Sequence, residues 1–151
     1  MKKWVFMVTV LLGLTLIIGF SIVGLIESKP PKTKITVGNE TYETVLGSYC
    51  WGSKCVDTVG PHELLEGEET IKVKPGEKIS IVMEYKLKPN EFNVAQIDDN
   101  EETEVEIKNN GFKAPTEKGM YYYAYSVWWM DDKEKNLSHG DAYYAFVLEV
   151  N

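Results

Sequence analysis

Pro115-Thr-Glu-Lys-Gly-Met-Tyr-Tyr-Tyr-Ala-Tyr-Ser-Val-Trp-Trp-Met130 is the most informative run in this sequence. Successive side chains of a β-strand point to opposite faces, so the odd-numbered positions share one face: Tyr121, Tyr123, Tyr125, Val127 and Trp129. The even-numbered positions share the other face: Met120, Tyr122, Ala124, Ser126 and Trp128. The run therefore predicts a long aromatic strand over residues 120–129 with one face in the core. The second face either contacts a partner or is covered by the Cys50 loop with Trp51.

On both sides of this strand, apolar residues recur with a period of two, and none keeps helical spacing for ten residues. A single helical turn is expected at residues 61–65. Turn-forming pairs such as Pro75-Gly76 and Asn110-Gly111 separate the strands. This pattern predicts an all-β domain, an antiparallel two-sheet sandwich, with strands at residues 35–37, 41–46, 71–73, 78–85, 92–97, 103–107, 120–129 and 141–150.

Residues 115–123 resemble the start of the penultimate strand of immunoglobulin-like domains, where a turn and a glycine precede a corner tyrosine. The resemblance implies an immunoglobulin-like sandwich with Tyr121 as that corner residue. Tyr123 stands where antibody domains carry their second cysteine, so the antibody class itself is not implied.

A broader resemblance covers most of residues 41–150. It is carried by Leu46-Gly-Ser-Tyr-Cys-Trp51, Cys55-Val-Asp57, Gly60-Pro61 and Tyr144-Ala-Phe-Val147. These motifs resemble a group of small extracytoplasmic proteins of Bacillus-type bacteria. The resemblance implies an immunoglobulin-like domain behind a membrane anchor or signal peptide, and it assigns neither an activity nor functional residues.

The N-terminal region is predicted to be a membrane anchor. Residues 4–26 are uncharged and mostly apolar, and as a helix they would span roughly 34 Å, enough to cross a bilayer core. Lys2 and Lys3 precede them, which predicts a single-pass protein with its C-terminal domain extracytoplasmic. The alternative is a signal peptide, whose cleavage would release a secreted domain. We predict an anchor over residues 1–26, a polar Pro-containing linker over 27–34 and the sandwich domain over 35–151.

Composition excludes several classes of function. The chain has no arginine, and from residue 27 onward its 14 lysines and 23 acidic residues give a net charge of −9. Such a domain cannot neutralise phosphates in the way a nucleic-acid-binding protein must. No nucleophile elbow, phosphate-binding glycine loop or calcium-loop spacing occurs in the sequence. We therefore predict a non-enzyme without a cofactor.

Two functional hypotheses remain open. The first is a cell-surface binding module for a protein, peptide or glycan, and its candidate binding residues are Trp51, Tyr121, Tyr123, Tyr125, Trp128 and Trp129, with Tyr143 adding to the aromatic face. The second is a redox or metal-handling protein centred on Cys50, Cys55 and His62. Two cysteines outside the cytoplasm most often form a structural disulfide, which favours the first hypothesis.

Overall fold

The computed structural model describes residues 29–98 and 101–151, which form two β-sheets packed face to face. The elements are β1 (Thr33–Val37), β2 (Glu40–Glu43), β3 (Val45–Trp51), β4 (Lys54–Val56), α1 (Pro61–Leu64), β5 (Ile71–Val73), β6 (Lys78–Met83), β7 (Glu91–Asp98), β8 (Glu101–Glu104), β9 (Gly111–Lys113), β10 (Gly119–Asp132) and β11 (Leu137–Val150). The predicted all-β sandwich is confirmed, with more strands than the sequence pattern indicates and with longer central strands, β10 and β11.

Sheet 1 has the strand order β2-β1-β6-β9, and sheet 2 has the order β4-β3-β11-β10-β7-β8. Neighbouring strands are antiparallel, except that β5 runs parallel to the end of β11, pairing Leu148 with Ile71. The two 14-residue strands β10 and β11 form the long central hairpin of sheet 2. Their inner faces are buried, and the neighbouring strands β3 and β7 pair with their outer edges.

The core lies between the two sheets. Sheet 1 contributes Ile35 and Ile79, and sheet 2 contributes Tyr123, Tyr144 and Leu148, all at most 1% exposed. The rings of Tyr123 and Phe146 are stacked with their centroids 5.1 Å apart. Burying one such large apolar side chain stabilises a fold by roughly 1.5–3 kcal/mol, so the inward residues of β10 and β11 contribute strongly to the stability of the sandwich.

The outer face of sheet 2 carries a second, smaller core. Leu65, which follows α1, packs with Ala145 and Val147 of β11, and all three are buried. Pro61 begins α1, where its missing N–H leaves no helical bond unmade. The predicted helical turn is thus confirmed, and the loop that carries it covers part of the sheet face that an isolated sandwich would expose.

The chain crosses from sheet 1 to sheet 2 at Thr44, between β2 and β3. The Thr44 side chain donates a hydrogen bond to the Thr33 carbonyl oxygen at 2.8 Å, and its N–H donates to the same oxygen at 3.2 Å. The prediction of one strand over residues 41–46 is therefore wrong. The Thr44 hydroxyl gives the Thr33 carbonyl oxygen a hydrogen-bond donor at the crossing point. The chain can therefore change sheets without a long loop.

The domain begins earlier than the sequence predicts. Pro30 and Pro31 are buried, β1 starts at Thr33, and the Tyr144 hydroxyl donates a hydrogen bond to the Pro31 carbonyl oxygen. Residues 30–34 of the predicted linker are therefore part of the folded domain.

The predicted anchor, residues 1–26, lies outside the described residues. Within residues 29–98 and 101–151, no helix has the length and apolar character needed to cross a membrane.

Candidate binding groove

The inner face of β10 belongs to the core. Tyr123, Tyr125 and Trp129 are between 1% and 9% exposed, and the Trp129 indole N–H donates a 2.7 Å hydrogen bond to the Leu87 carbonyl oxygen. Burial raises the pKa of Tyr125 to about 12 and the pKa of Tyr123 further still. Tyr123 and Trp129 are therefore core residues that a partner cannot reach, so their interpretation as binding residues is wrong. Tyr125 is also a core residue and keeps only a small edge in a surface pocket beside Met83 and Phe92.

Tyr121 lies on the same inner face, at the rim of the sandwich, and is half-buried. Its hydroxyl donates a 2.9 Å hydrogen bond to the carbonyl oxygen of Glu117, four residues upstream. This is the corner arrangement that the sequence predicts for Tyr121. The side chain therefore fixes the turn before β10, and its predicted role in binding stays a prediction.

Trp51 also packs inward, at the end of β3. Its ring meets Trp129 edge to face at a centroid distance of 4.8 Å and lies 6.1 Å from Tyr85. A Cβ on Gly140 would lie 2.6 Å from the Trp51 ring, so only glycine fits beneath it. Trp51 closes one end of the core as a partly buried residue, and its predicted role in binding stays a prediction.

Cys50 and Cys55 form a disulfide, as predicted. They are directly paired across the β3–β4 hairpin, whose two-residue turn needs Gly52 in the left-handed region, at φ +61°. Because both sulfurs are bonded to each other, neither is a free thiolate ligand.

His62 does not join this pair. It stacks on Tyr122 with the ring centroids 3.9 Å apart, while Cys50 is paired with Asp141, the neighbour of Trp128. Tyr122 and Trp128 are six residues apart on β10, which corresponds to roughly 20 Å along the strand. The residues of the predicted redox or metal cluster are therefore not brought together. Among the described residues, no three His, Cys, Asp or Glu side chains are grouped as metal ligands.

The outer face of β10 carries an open groove instead. Directly paired residues of antiparallel strands share a face, so β7, β10 and β11 form transverse rows there. The rows are Glu91–Trp128–Asp141, Asn93–Ser126–Tyr143, Ala95–Ala124–Ala145 and Ile97–Tyr122–Val147. The loop carrying α1 covers the last row, where His62 and Leu65 pack, and leaves the first two accessible.

We call the remaining depression the Trp128 groove. It has a volume of about 340 Å³ and is lined by Thr58, Val59, Gly60, Pro61, Asn93, Ala95, Glu102, Ala124, Ser126, Trp128 and Tyr143. Its floor is made of the small side chains of Ala95, Ala124 and Ser126. Trp128, 36% exposed, stands at one end, and residues 58–61 form one wall. The volume falls within the range of small-ligand pockets, about 300–1,000 Å³.

This wall is held in place by hydrogen bonds. The Tyr143 hydroxyl donates to the Val59 carbonyl oxygen at 2.6 Å and lies 3.0 Å from the Thr58 hydroxyl oxygen. The Thr58 N–H donates to the Ser48 hydroxyl oxygen at 2.9 Å. Beneath the Tyr143 ring lies Gly47, where a Cβ would come within 2.1 Å of a ring carbon. The groove therefore exists before any ligand arrives.

The charges around the groove are negative. Glu91 and Asp141 flank Trp128 on the two neighbouring strands, and Glu102 lies on the opposite rim. Lys133 pairs with Glu91. Within the described part of the chain, no lysine lies within salt-bridge distance of Asp141 or Glu102. A cation entering the groove would therefore meet unneutralised carboxylates beside an indole face.

Sequence reasoning identified Trp128 and Tyr143 but missed most of this groove. Asn93, Glu102 and residues 58–61 come from other elements, and no local pattern links them to β10. The pairing register that brings Asn93 beside Ser126 depends on how two distant strands align. The small residues of β10 were the one available signal, because Ala124 and Ser126 on one face of an aromatic strand leave room there.

Comparison with protein-family models, curated proteins and solved structures finds no match to this chain.

Proposed function

We propose that this protein is a non-catalytic binding module of immunoglobulin-like fold. Residues 4–26 hold it at the membrane with its sandwich domain outside the cytoplasm, and it captures a lysine- or arginine-bearing peptide segment of a partner protein in the Trp128 groove. The observation that carries the proposal is an exposed tryptophan, Trp128, placed between two carboxylates above a floor of small side chains.

Strand order supports the immunoglobulin-like class. In sheet 2, β8, β7, β10 and β11 lie side by side, and β5 runs parallel to β11. In sheet 1, β6 lies beside β9. Immunoglobulin variable-type domains place the third, sixth and seventh strands together in the same way, with a tyrosine corner before the sixth, and the bond from Tyr121 to Glu117 matches that corner.

Charge and aromatic geometry favour a cationic peptide over an anionic ligand. A lysine or arginine side chain placed over an indole face gains a cation–π contact, which strengthens when the pair is desolvated. Asp141 and Glu102 add long-range attraction, while a phosphate or another carboxylate would be repelled. The Asn93 amide and Ser126 hydroxyl can bond the peptide backbone. Together these groups fit one or two residues of an extended basic chain.

The test uses the full chain in phosphatidylcholine nanodiscs, with pentalysine as the probe. The chain has four tryptophans, and their indole N–H resonances report on each site separately. We expect pentalysine to shift the Trp128 resonance. Trp128→Ala should weaken pentalysine binding by about tenfold, as expected for the loss of a desolvated cation–π contact. Asp141→Asn should weaken it by a smaller factor.

Met120→Ala is the matched control, because Met120 is an exposed apolar residue of the same strand face, 46% exposed, outside the groove. It should leave the affinity unchanged. Chitotriose serves as a second, uncharged probe. If chitotriose shifts the Trp128 resonance and pentalysine does not, the groove binds glycans and the peptide proposal fails. Pentalysine binding that survives Trp128→Ala would show adsorption to the acidic surface and would also overturn it.

A further inference from the structure

One end of the sandwich gathers the start of the domain and three loops. We call it the tether end and define it by residues 29–34, the β3–β4 turn at 51–54, the β6–β7 loop at 84–90 and the β10–β11 turn at 131–138. Pairing between Thr33 and Met83 joins the first and third of these segments. The Lys133 bond to the Asn90 carbonyl oxygen joins the third and fourth segments. The second segment meets the third where the rings of Trp51 and Tyr85 lie with their centroids 6.1 Å apart.

The chain leaves the domain at this end with almost no spacer. Pro30 and Pro31 are buried against the domain, so only residues 27–29 separate the predicted membrane span from the folded structure. Three residues reach at most about 10 Å when fully extended. The tether end is therefore kept within reach of the lipid headgroups wherever the domain rotates.

The tether end also exposes the most accessible apolar side chains among the described residues. Leu87 is 62% exposed and Leu137 is 54% exposed. Leu87 lies on the β6–β7 loop, and Leu137 is the first residue of β11, directly after the β10–β11 turn. Exposed leucines at one end of a domain gain free energy by entering the interfacial region of a bilayer.

Charge is distributed unevenly along the molecule. The tether end and its flanking strand residues carry eight lysines (Lys29, Lys32, Lys34, Lys54, Lys86, Lys88, Lys133, Lys135) and seven carboxylates (Glu43, Glu84, Glu91, Asp131, Asp132, Glu134, Asp141), a net charge of +1. The remaining described residues carry six lysines and fourteen carboxylates, a net charge of −8. An anionic membrane surface attracts the first region and repels the second, so it orients the domain.

We propose that the tether end docks on the surface of an anionic bilayer. Leu87 and Leu137 enter the headgroup layer, Lys54 and Lys86 contact lipid phosphates, and the acidic end points away from the membrane. The inference rests on the proposed membrane anchor and is independent of the ligand of the Trp128 groove. Docking would fix which way the groove faces, because Trp128 pairs with Glu91, the first residue after the β6–β7 loop of the tether end.

Hydrogen exchange on the full chain tests this inference. The chain is placed in nanodiscs of phosphatidylcholine with three parts in ten of phosphatidylglycerol, and in nanodiscs of phosphatidylcholine alone. We expect slower exchange at residues 84–90 and 131–138 on the anionic discs. Lys54→Glu with Lys86→Glu should remove this protection, because each lysine near an anionic leaflet changes surface affinity by about fivefold.

Matched variants control for net charge and for hydrophobicity. Lys72→Glu with Lys118→Glu makes the same charge change at the far end, where Gly119 pairs with Val150, and should leave the protection intact. Leu87→Gln with Leu137→Gln should reduce it, whereas Met120→Gln should not. Equal exchange on the two kinds of disc, or equal effects of the two lysine pairs, would overturn the docking.

Alkali-resistant association of the full chain with lipid is measured in parallel. A chain that associates but shows no protection retains its anchor and loses only the docking inference. A chain that does not associate refutes the anchor and the docking together. Pentalysine binding at Trp128 is unaffected by either result, so the groove is judged separately.

Discussion

At the scale of single residues, the Tyr121 hydroxyl is the clearest example of one atom fixing local geometry. It donates to the Glu117 carbonyl oxygen at 2.9 Å and thereby holds the turn before β10. Tyr121→Phe removes only this hydrogen bond, and it should lower the free energy of unfolding by about 0.5–1.5 kcal/mol. Tyr122→Phe is the control, since the structure gives the Tyr122 hydroxyl no partner among the described residues. Urea denaturation measures both, and equal losses would contradict the corner role.

Gly47 shows how one missing Cβ shapes the groove. An added methyl would lie 2.1 Å from the Tyr143 ring, so Gly47→Ala must displace the ring whose hydroxyl holds the wall at Val59. Overpacking of this kind costs about 1–3 kcal/mol. Gly60→Ala, with no atom within 4 Å of its added Cβ, loses only the preference for glycine over alanine at a helix N-cap, and it should cost less, about 0.5–1 kcal/mol. A thermal melt of each variant compares them, and equal melting temperatures would disprove the contact.

At the scale of elements, the two faces of β10 should respond differently to the same substitution. Trp129 is 3% exposed and hydrogen-bonded, while Trp128 is 36% exposed. Trp129→Ala should therefore cost about 3–5 kcal/mol of stability, and Trp128→Ala less than about 1 kcal/mol. Chemical denaturation of the two variants distinguishes them. A larger loss for Trp128→Ala would mean that its side chain is structural, and the groove would lose its central residue.

The β3–β4 hairpin depends on its disulfide to a modest degree. Joining Cys50 and Cys55 closes a very short loop, so the chain-entropy model gives a stabilisation of about 2 kcal/mol. Cys50→Ser with Cys55→Ser should lower the unfolding free energy by that amount and leave pentalysine binding intact. Intact mass before and after reduction and alkylation verifies the bond. A copurifying metal, or free thiols in protein from an oxidising compartment, would revive the redox hypothesis.

Elements were predicted from the sequence where the pattern is local. The aromatic alternation of residues 120–129 gave β10, and Pro61 marked α1. The sequence could not show that the chain changes sheets at Thr44, because β2 and β3 read as one apolar alternation. It also could not show which face of β10 is inward. Both faces are aromatic, and the choice depends on Ile35, Ile79 and other distant residues of sheet 1.

At the scale of the whole molecule, buried tyrosines link stability to alkaline pH. Burial between the sheets raises the pKa of Tyr123, Tyr125 and Tyr144, that of Tyr125 to about 12. The unfolded chain releases these protons near pH 10, whereas the folded protein retains them, so stability is complete below pH 10 and falls as the pH rises through the folded pKa values. Each tyrosine contributes a slope of at most roughly 1.4 kcal/mol per pH unit.

Urea midpoints at pH 8 and pH 11 measure this loss. Tyr125→Phe removes one of the three groups and should make the decline shallower. A midpoint that does not move between these two values of pH would contradict the burial of the tyrosine hydroxyls.

The early start of the folded domain has a mechanical consequence. If a partner held in the Trp128 groove pulls on the domain, tension runs from sheet 2 across the sandwich to Pro30 and into the preceding segment, which we propose to be the membrane anchor. The Tyr144 bond to the Pro31 carbonyl oxygen joins the central strand of the binding sheet to that attachment point. Part of the force can therefore pass from β11 directly to Pro31 without crossing sheet 1. The pairing of β1 with β6 then need not break for the force to reach the N-terminal segment.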